Sequence, residues 1–145
     1  MESASHAEFD TKIAKAVCDV DLVNKISILK NDHIVFMNKN FAQLGEYRSW
    51  RVATAQECNL GKWIKESEMA NEAFTKTENW KQLIDAHNKV HGSVQEYVNM
   101  DEKRESNFEL RNEAETLTKS VYNVFKSIDI VKFEKCQSII EANED

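Results

Sequence analysis

Residues 80–98 read Trp80-Lys81-Gln82-Leu83-Ile84-Asp85-Ala86-His87-Asn88-Lys89-Val90-His91-Gly92-Ser93-Val94-Gln95-Glu96-Tyr97-Val98. Apolar side chains at Trp80, Leu83, Ile84, Val90, Val94, Tyr97 and Val98, taken with His87 and His91, recur at the helical period and trace one face of an α-helix. His87 and His91 fall on that same face. Thr77, followed by Glu78, is placed to cap the helix at its N-terminus. The stretch predicts a long helix whose broad apolar face needs other helices to cover it.

Downstream, Leu110, Ala114, Leu117, Val121, Val124, Ile128 and Val131 keep a heptad-like spacing. They predict a last helix that begins near Asp101 or Ser106 and runs to about Ala142. Such a stripe suits a core within the chain or a helix–helix dimer contact, and heptads alone do not separate the two. Upstream, Leu22, Ile26, Leu29, His33, Phe36, Met37 and Leu44 predict a first helix between about Asp10 and Leu44. The stretch from Gly45 to Thr77 is less regular and reads as a loop with one or two short helices. The expected fold class is all-α: an antiparallel four-helix bundle with an irregular, short-helix segment between the first and third long helices.

Composition agrees. The chain has 145 residues, 41% hydrophobic and 30% charged, with no proline and three glycines, so the strongest helix breakers are nearly missing. The length fits one domain over residues 1–145, with residues 1–10 expected to be flexible. A net charge of −6 argues against nucleic acid and against anionic lipid as partners. No run approaches the ~20 apolar residues of a membrane helix. The first ten residues lack a basic region followed by an apolar run, so a cytoplasmic protein is expected. Cys18, Cys58 and Cys136 are odd in number and widely spaced, which is not a disulfide framework; Cys18 and Cys136 read as small, partly buried hydrophobes.

The chemistry lies in the histidines. His87 and His91, four residues apart, project from one helix face on successive turns, and His33 sits on the apolar stripe of the first helix. Imidazoles in a core need partners for their ring nitrogens. A divalent metal satisfies several at once, and neutral imidazole is a common zinc ligand. Cys58 supplies a soft fourth donor, and three nitrogens with one sulfur complete a tetrahedron. Gly61 lets the backbone turn tightly beside this site, and Trp63 is expected to shield it from water. The competing reading is a metal-free interaction module, because a His-x-x-x-His pair arises often by chance and a single buried histidine usually bonds to a carbonyl. A di-iron bundle would need Glu-x-x-His motifs, and no glutamate stands three residues before His33, His87 or His91.

Three stretches carry a family resemblance. Leu29-Lys30-Asn31-Asp32-His33-Ile34-Val35-Phe36-Met37-Asn38, Cys58-Asn59-Leu60-Gly61-Lys62-Trp63 and His87-Asn88-Lys89-Val90-His91 are similar, in order, to the signatures of the chemoreceptor zinc-binding (CZB) domain. The last helix, with Glu115-Thr116-Leu117-Thr118-Lys119-Ser120-Val121 and later Ile128-Asp129, resembles the closing helix of that domain. The resemblance spans about residues 23–133. It implies a four-helix bundle holding Zn2+ through His33, Cys58, His87 and His91. This chain departs from the pattern at Glu57, Asn59 and Ile64, around the ligands rather than at them. Asp32 is expected to support or tune the ligand beside it, His33, or the thiolate. His6 lies outside any motif and reads as a solvated terminal residue.

The resemblance implies a sensor or regulatory domain of bacterial signalling, of the chemotaxis or cyclic-di-GMP type. It also implies that Cys58 acts as a zinc or oxidant switch, hypochlorous acid being one such oxidant. The expected partners are zinc, a second copy of the chain, and a chemoreceptor or diguanylate cyclase. The sequence contains no methyl-accepting coiled coil and no cyclase motif, so it reads as a stand-alone sensor or as part of a larger receptor. An enzyme is not expected, because four protein ligands leave no open coordination position. In addition, Asn88 stands where a metalloprotease would have glutamate.

Overall fold

The computed structural model describes residues 20–144, with side chains described through residue 137. The expectations for residues 1–10, His6, Cys18 and a helix start near Asp10 lie outside the described residues. Among the described residues the chain is all-α: α1 (Val20–Phe41), α2 (Asn59–Met69), a short 3-10 turn (Ala73–Lys76), α3 (Glu78–Glu102) and α4 (Asn107–Glu144).

Pairs of touching residues fix the directions. Trp80 Nε1 donates to Glu68, and Cys58 meets His87, so α2 runs against α3. Asn79 donates to the Ser127 carbonyl, and Ser93 bonds Glu113, so α4 also runs against α3. His33 sits beside His87 and Phe41 beside Tyr97, so α1 and α3 run the same way. The result is an up–down–up–down bundle with one short member, as expected.

The helix ends follow their local chemistry. Thr77 caps α3, its hydroxyl oxygen accepting from the Trp80 amide at 3.1 Å. Ser106 does the same for α4 through the Glu109 amide, so α4 starts after Ser106. Asp101, the other candidate start, lies in the last turn of α3 instead, where its carboxylate accepts from the Gly45 amide at 3.1 and 3.2 Å. α1 stops at Phe41 rather than Leu44. The amides of Gln43 and Leu44 reach back only three residues, and Gly45 then turns the chain at φ +92°. That angle is open to glycine at little cost.

The core joins Leu22, Ile26 and Leu29 of α1, Leu60 of α2, Leu83, Val90, Val94 and Val98 of α3, and Leu117, Val124, Ile128 and Val131 of α4. Each such side chain contributes about 1.5–3 kcal/mol on burial. From Leu117 to Val131 the heptad stripe of α4 is therefore covered within the chain, while Leu110 and Ala114 are half-buried. Its outer face keeps Tyr122 and Phe133 exposed, each at 65%. Cys136 is buried, as expected of a small hydrophobe, but departs from expectation in being disulfide-bonded. Spacing along a sequence does not show which thiols the fold brings together. No helix among the described residues is long and apolar enough to cross a membrane.

Candidate metal centre

The bundle directions place four side chains at one level. His33 comes from the middle of α1, His87 and His91 from successive turns of α3, and Cys58 from the residue that caps α2. One donor atom from each lies within 4.8 Å of every other. Metal–ligand bonds of about 2.0–2.3 Å give tetrahedral edges of about 3.3–3.6 Å, so the widest separation closes by a shift of about an ångström. The three histidines are buried, at 2–4% exposure, while Cys58 is half-buried.

Two of the rings are held from behind. His33 Nδ1 lies 2.8 Å from the Leu29 carbonyl, and His91 Nδ1 lies 2.8 Å from the Ala53 carbonyl. A carbonyl only accepts, so in both rings Nδ1 carries the proton and Nε2 keeps a lone pair. Both of those Nε2 atoms are buried without a hydrogen-bond partner. Such atoms cost free energy unless something binds them. His87 Nε2 meets Cys58 Sγ at 3.1 Å. The rings stand edge to face, with centroids 4.8 to 5.6 Å apart.

Burial sets the protonation. It pushes His33 and His91 below the ordinary imidazole range, against the opposing pull of their carbonyl bonds. His87 falls to about 3, through burial first and then through the neighbouring His91 and His33. All three are thus neutral, the ligand form, near pH 7. Burial pushes the Cys58 thiol up, the amides of Gly61 and Leu60 oppose the rise, and the Asp32 carboxylate adds to it. A cation among the donors is what would favour the thiolate here. Two orphaned imidazole lone pairs, a third imidazole and a thiol are a donor set that suits zinc.

Gly61 serves the site by close approach rather than by a turn. A Cβ there would lie 2.0 Å from the Ala55 carbonyl oxygen, the carbonyl to which Cys58 Sγ donates at 3.4 Å. Trp63 packs with Phe74 and Trp80 instead of shielding the donors, and Phe36 is the ring that lies against His91, at 4.5 Å. Phe36 follows His33 by three residues, so helical spacing could have revealed it. Asp32 accepts from Asn59 Nδ2 at 2.9 Å, tying α1 to the start of α2. Glu57 is bonded by Arg51 and by Thr54, which hold its carboxyl at about 2 and order the approach to Cys58. The sequence reading missed the Leu29 carbonyl, although any helical residue four before a histidine offers one. It also missed the Ala53 carbonyl, which only the fold brings close.

These features define a class: a helical bundle with a largely buried cluster of nitrogen and sulfur donors that could hold a metal ion. The family model of the chemoreceptor zinc-binding domain matches residues 33–98. That segment, which holds all four donors, is similar to the family. The match stops at Val98, so the resemblance around residues 115–121 lies beyond it. No curated protein and no solved structure matches the chain.

Proposed function

We propose that His33, Cys58, His87 and His91 hold one zinc ion and that the chain is a regulatory sensor domain rather than an enzyme. The observation that carries this is the pair of buried, unpartnered Nε2 atoms on His33 and His91, each fixed by a carbonyl behind its ring. A metal-free interaction module would leave both unsatisfied. Zinc supplies charge compensation for a Cys58 thiolate and, with four protein ligands, no open position for substrate. Metal analysis of protein purified without a histidine tag tests the reading: one zinc per chain supports it, and a content near zero after zinc is added sinks it.

The finer reading is an oxidant-sensitive switch in cytoplasmic bacterial signalling, of the chemotaxis or cyclic-di-GMP type. Cys58 is half-buried, so a small oxidant reaches it. With hypochlorous acid the thiolate gains oxygen and chloride departs, leaving the sulfenic acid; sulfur is oxidised and chlorine reduced. That loses one donor and loosens the segment between α1 and α3. Zinc content and helix content before and after one equivalent of oxidant test this, and no change in either rejects it. The expected homodimer needs another face than the α4 heptads, which the core uses, and the exposed Tyr122 and Phe133 offer one. Light scattering of wild type against Tyr122→Ser checks that face, with an unaltered mass counting against it. The enzyme alternative is checked by assaying Cys58→Ala, which opens a coordination position, for hydrolysis.

A further inference from the structure

α3 presents His91, Gln95 and Asn99 at four-residue steps along the line where residues 49–53 cross it. Each of them meets that loop. His91 Nδ1 donates to the Ala53 carbonyl. Gln95 takes two backbone groups: its Oε1 accepts from the Val52 amide at 2.8 Å, and its Nε2 donates to the Trp50 carbonyl at 3.0 Å. Asn99 Oδ1 accepts from Gln95 Nε2 and from the Ser49 hydroxyl, both at 3.1 Å, which fixes which way the Gln95 amide faces. A loop without a ladder of its own must find partners for its buried backbone groups. Gln95 provides them for the residues just before Ala53, and Val52 is only 4% exposed.

We propose that Gln95 is a positioning residue for the metal centre. It clamps Trp50 and Val52, which places the Ala53 carbonyl, which in turn holds His91 with Nε2 turned toward the other three donors. This rests on the zinc reading above. Groups that orient a ligand from behind typically change metal affinity roughly 10- to 100-fold when removed. Glutamine is required by its two ends: Trp50 needs a donor and Val52 an acceptor. A carboxylate would only accept, and it would set charge against the Trp50 carbonyl and Asn99 Oδ1. Methionine matches the length and offers neither end. By reciprocity, metal held at His91 steadies the loop.

The test uses the whole chain. Zinc affinity is measured by competition with a chromophoric chelator for wild type, Gln95→Met, Gln95→Glu, His91→Ala and the His91→Ala/Gln95→Met double variant. Helix content and hydrogen exchange of the Val52 amide are followed alongside. Both Gln95 variants should bind zinc roughly 10- to 100-fold more weakly at unchanged helix content, with faster Val52 exchange. In the His91→Ala background Gln95→Met should add nothing, because its path ends at His91; a general loosening of the fold would weaken that background too. If Gln95→Met loses helix content, Asn99→Ala, which frees the Gln95 amide to turn, should show a smaller affinity loss with faster Val52 exchange. Wild-type affinity in the Gln95 variants, or an equal loss in both backgrounds, overturns the inference. A wild-type chain that takes up no zinc overturns the zinc reading itself, and the inference with it.

Discussion

Cys58 Sγ lies 3.1 Å from His87 Nε2, so the residue that caps α2 meets the α3 histidine face across 29 positions of sequence. Its sulfur lies between the Ala55 carbonyl, to which it donates at 3.4 Å, and the histidines. The start of α2 is therefore tied to the state of the site.

Zinc bound by this set should stabilise the fold, because ligand affinity for the native state adds to its stability. Free zinc at 100-fold above Kd contributes about 2.7 kcal/mol, or roughly 5–10 °C in Tm for a chain of this size. Cys58→Ala and His87→Ala should lose most of that zinc-dependent rise in a thermal melt. An equal rise in both variants and wild type would mean that the ion binds elsewhere.

Gly61→Ala should cost about 1–3 kcal/mol, at the upper end because the clash is with backbone. The new Cβ would press on the Ala55 carbonyl at 2.0 Å. Relief requires moving the 55–58 turn, and Cys58 with it. Urea unfolding should show a lower midpoint, and a chelator competition should show weaker zinc binding. Gly92→Ala is the control, since nothing lies within 4 Å of its Cβ position.

The zinc-free protein should lose stability as pH falls below the ordinary imidazole value of 6.5. The folded chain holds His87 at about 3 and lowers His33 and His91 in the same direction. Between the folded and unfolded values the unfolded state binds more protons, so stability rises with pH. The contribution is complete above pH 6.5 and fades toward pH 3. Glu57, lowered from 4.5, acts only below that value, so the interval from pH 6.5 to 5 belongs to the histidines. Urea midpoints of the zinc-free protein at pH 7.5 and 5 check this, and a flat midpoint contradicts it.

Asp32→Asn should leave zinc stoichiometry at one per chain while speeding alkylation of Cys58 in the zinc-free protein. The carboxylate raises the thiol alongside burial. Removing its charge favours the thiolate, the reactive form. A slower or unchanged alkylation rate would leave Asp32 only its bond to Asn59.

The long helices were legible because their signal is periodic: Trp80 through Val98 and Leu117 through Val131 repeat the helical period, and Thr77 marks a start. Three histidines on apolar stripes were legible for the same reason, since a polar ring on a buried face needs explaining. Less legible was whatever depends on a crossing. The Ala53 carbonyl behind His91 and the Gln95 clamp arise from segments distant in sequence. Trp63 was misplaced because proximity to Cys58 in sequence does not fix direction. α2 turns its ring toward Phe74 and Trp80.

X-ray absorption at the zinc edge of the loaded, tag-free chain tests the central claim most directly. The account predicts one shell of three nitrogens at about 2.0–2.1 Å and one sulfur at about 2.3 Å, with the sulfur lost in Cys58→Ala. A shell of oxygen and nitrogen alone in the wild type would contradict it.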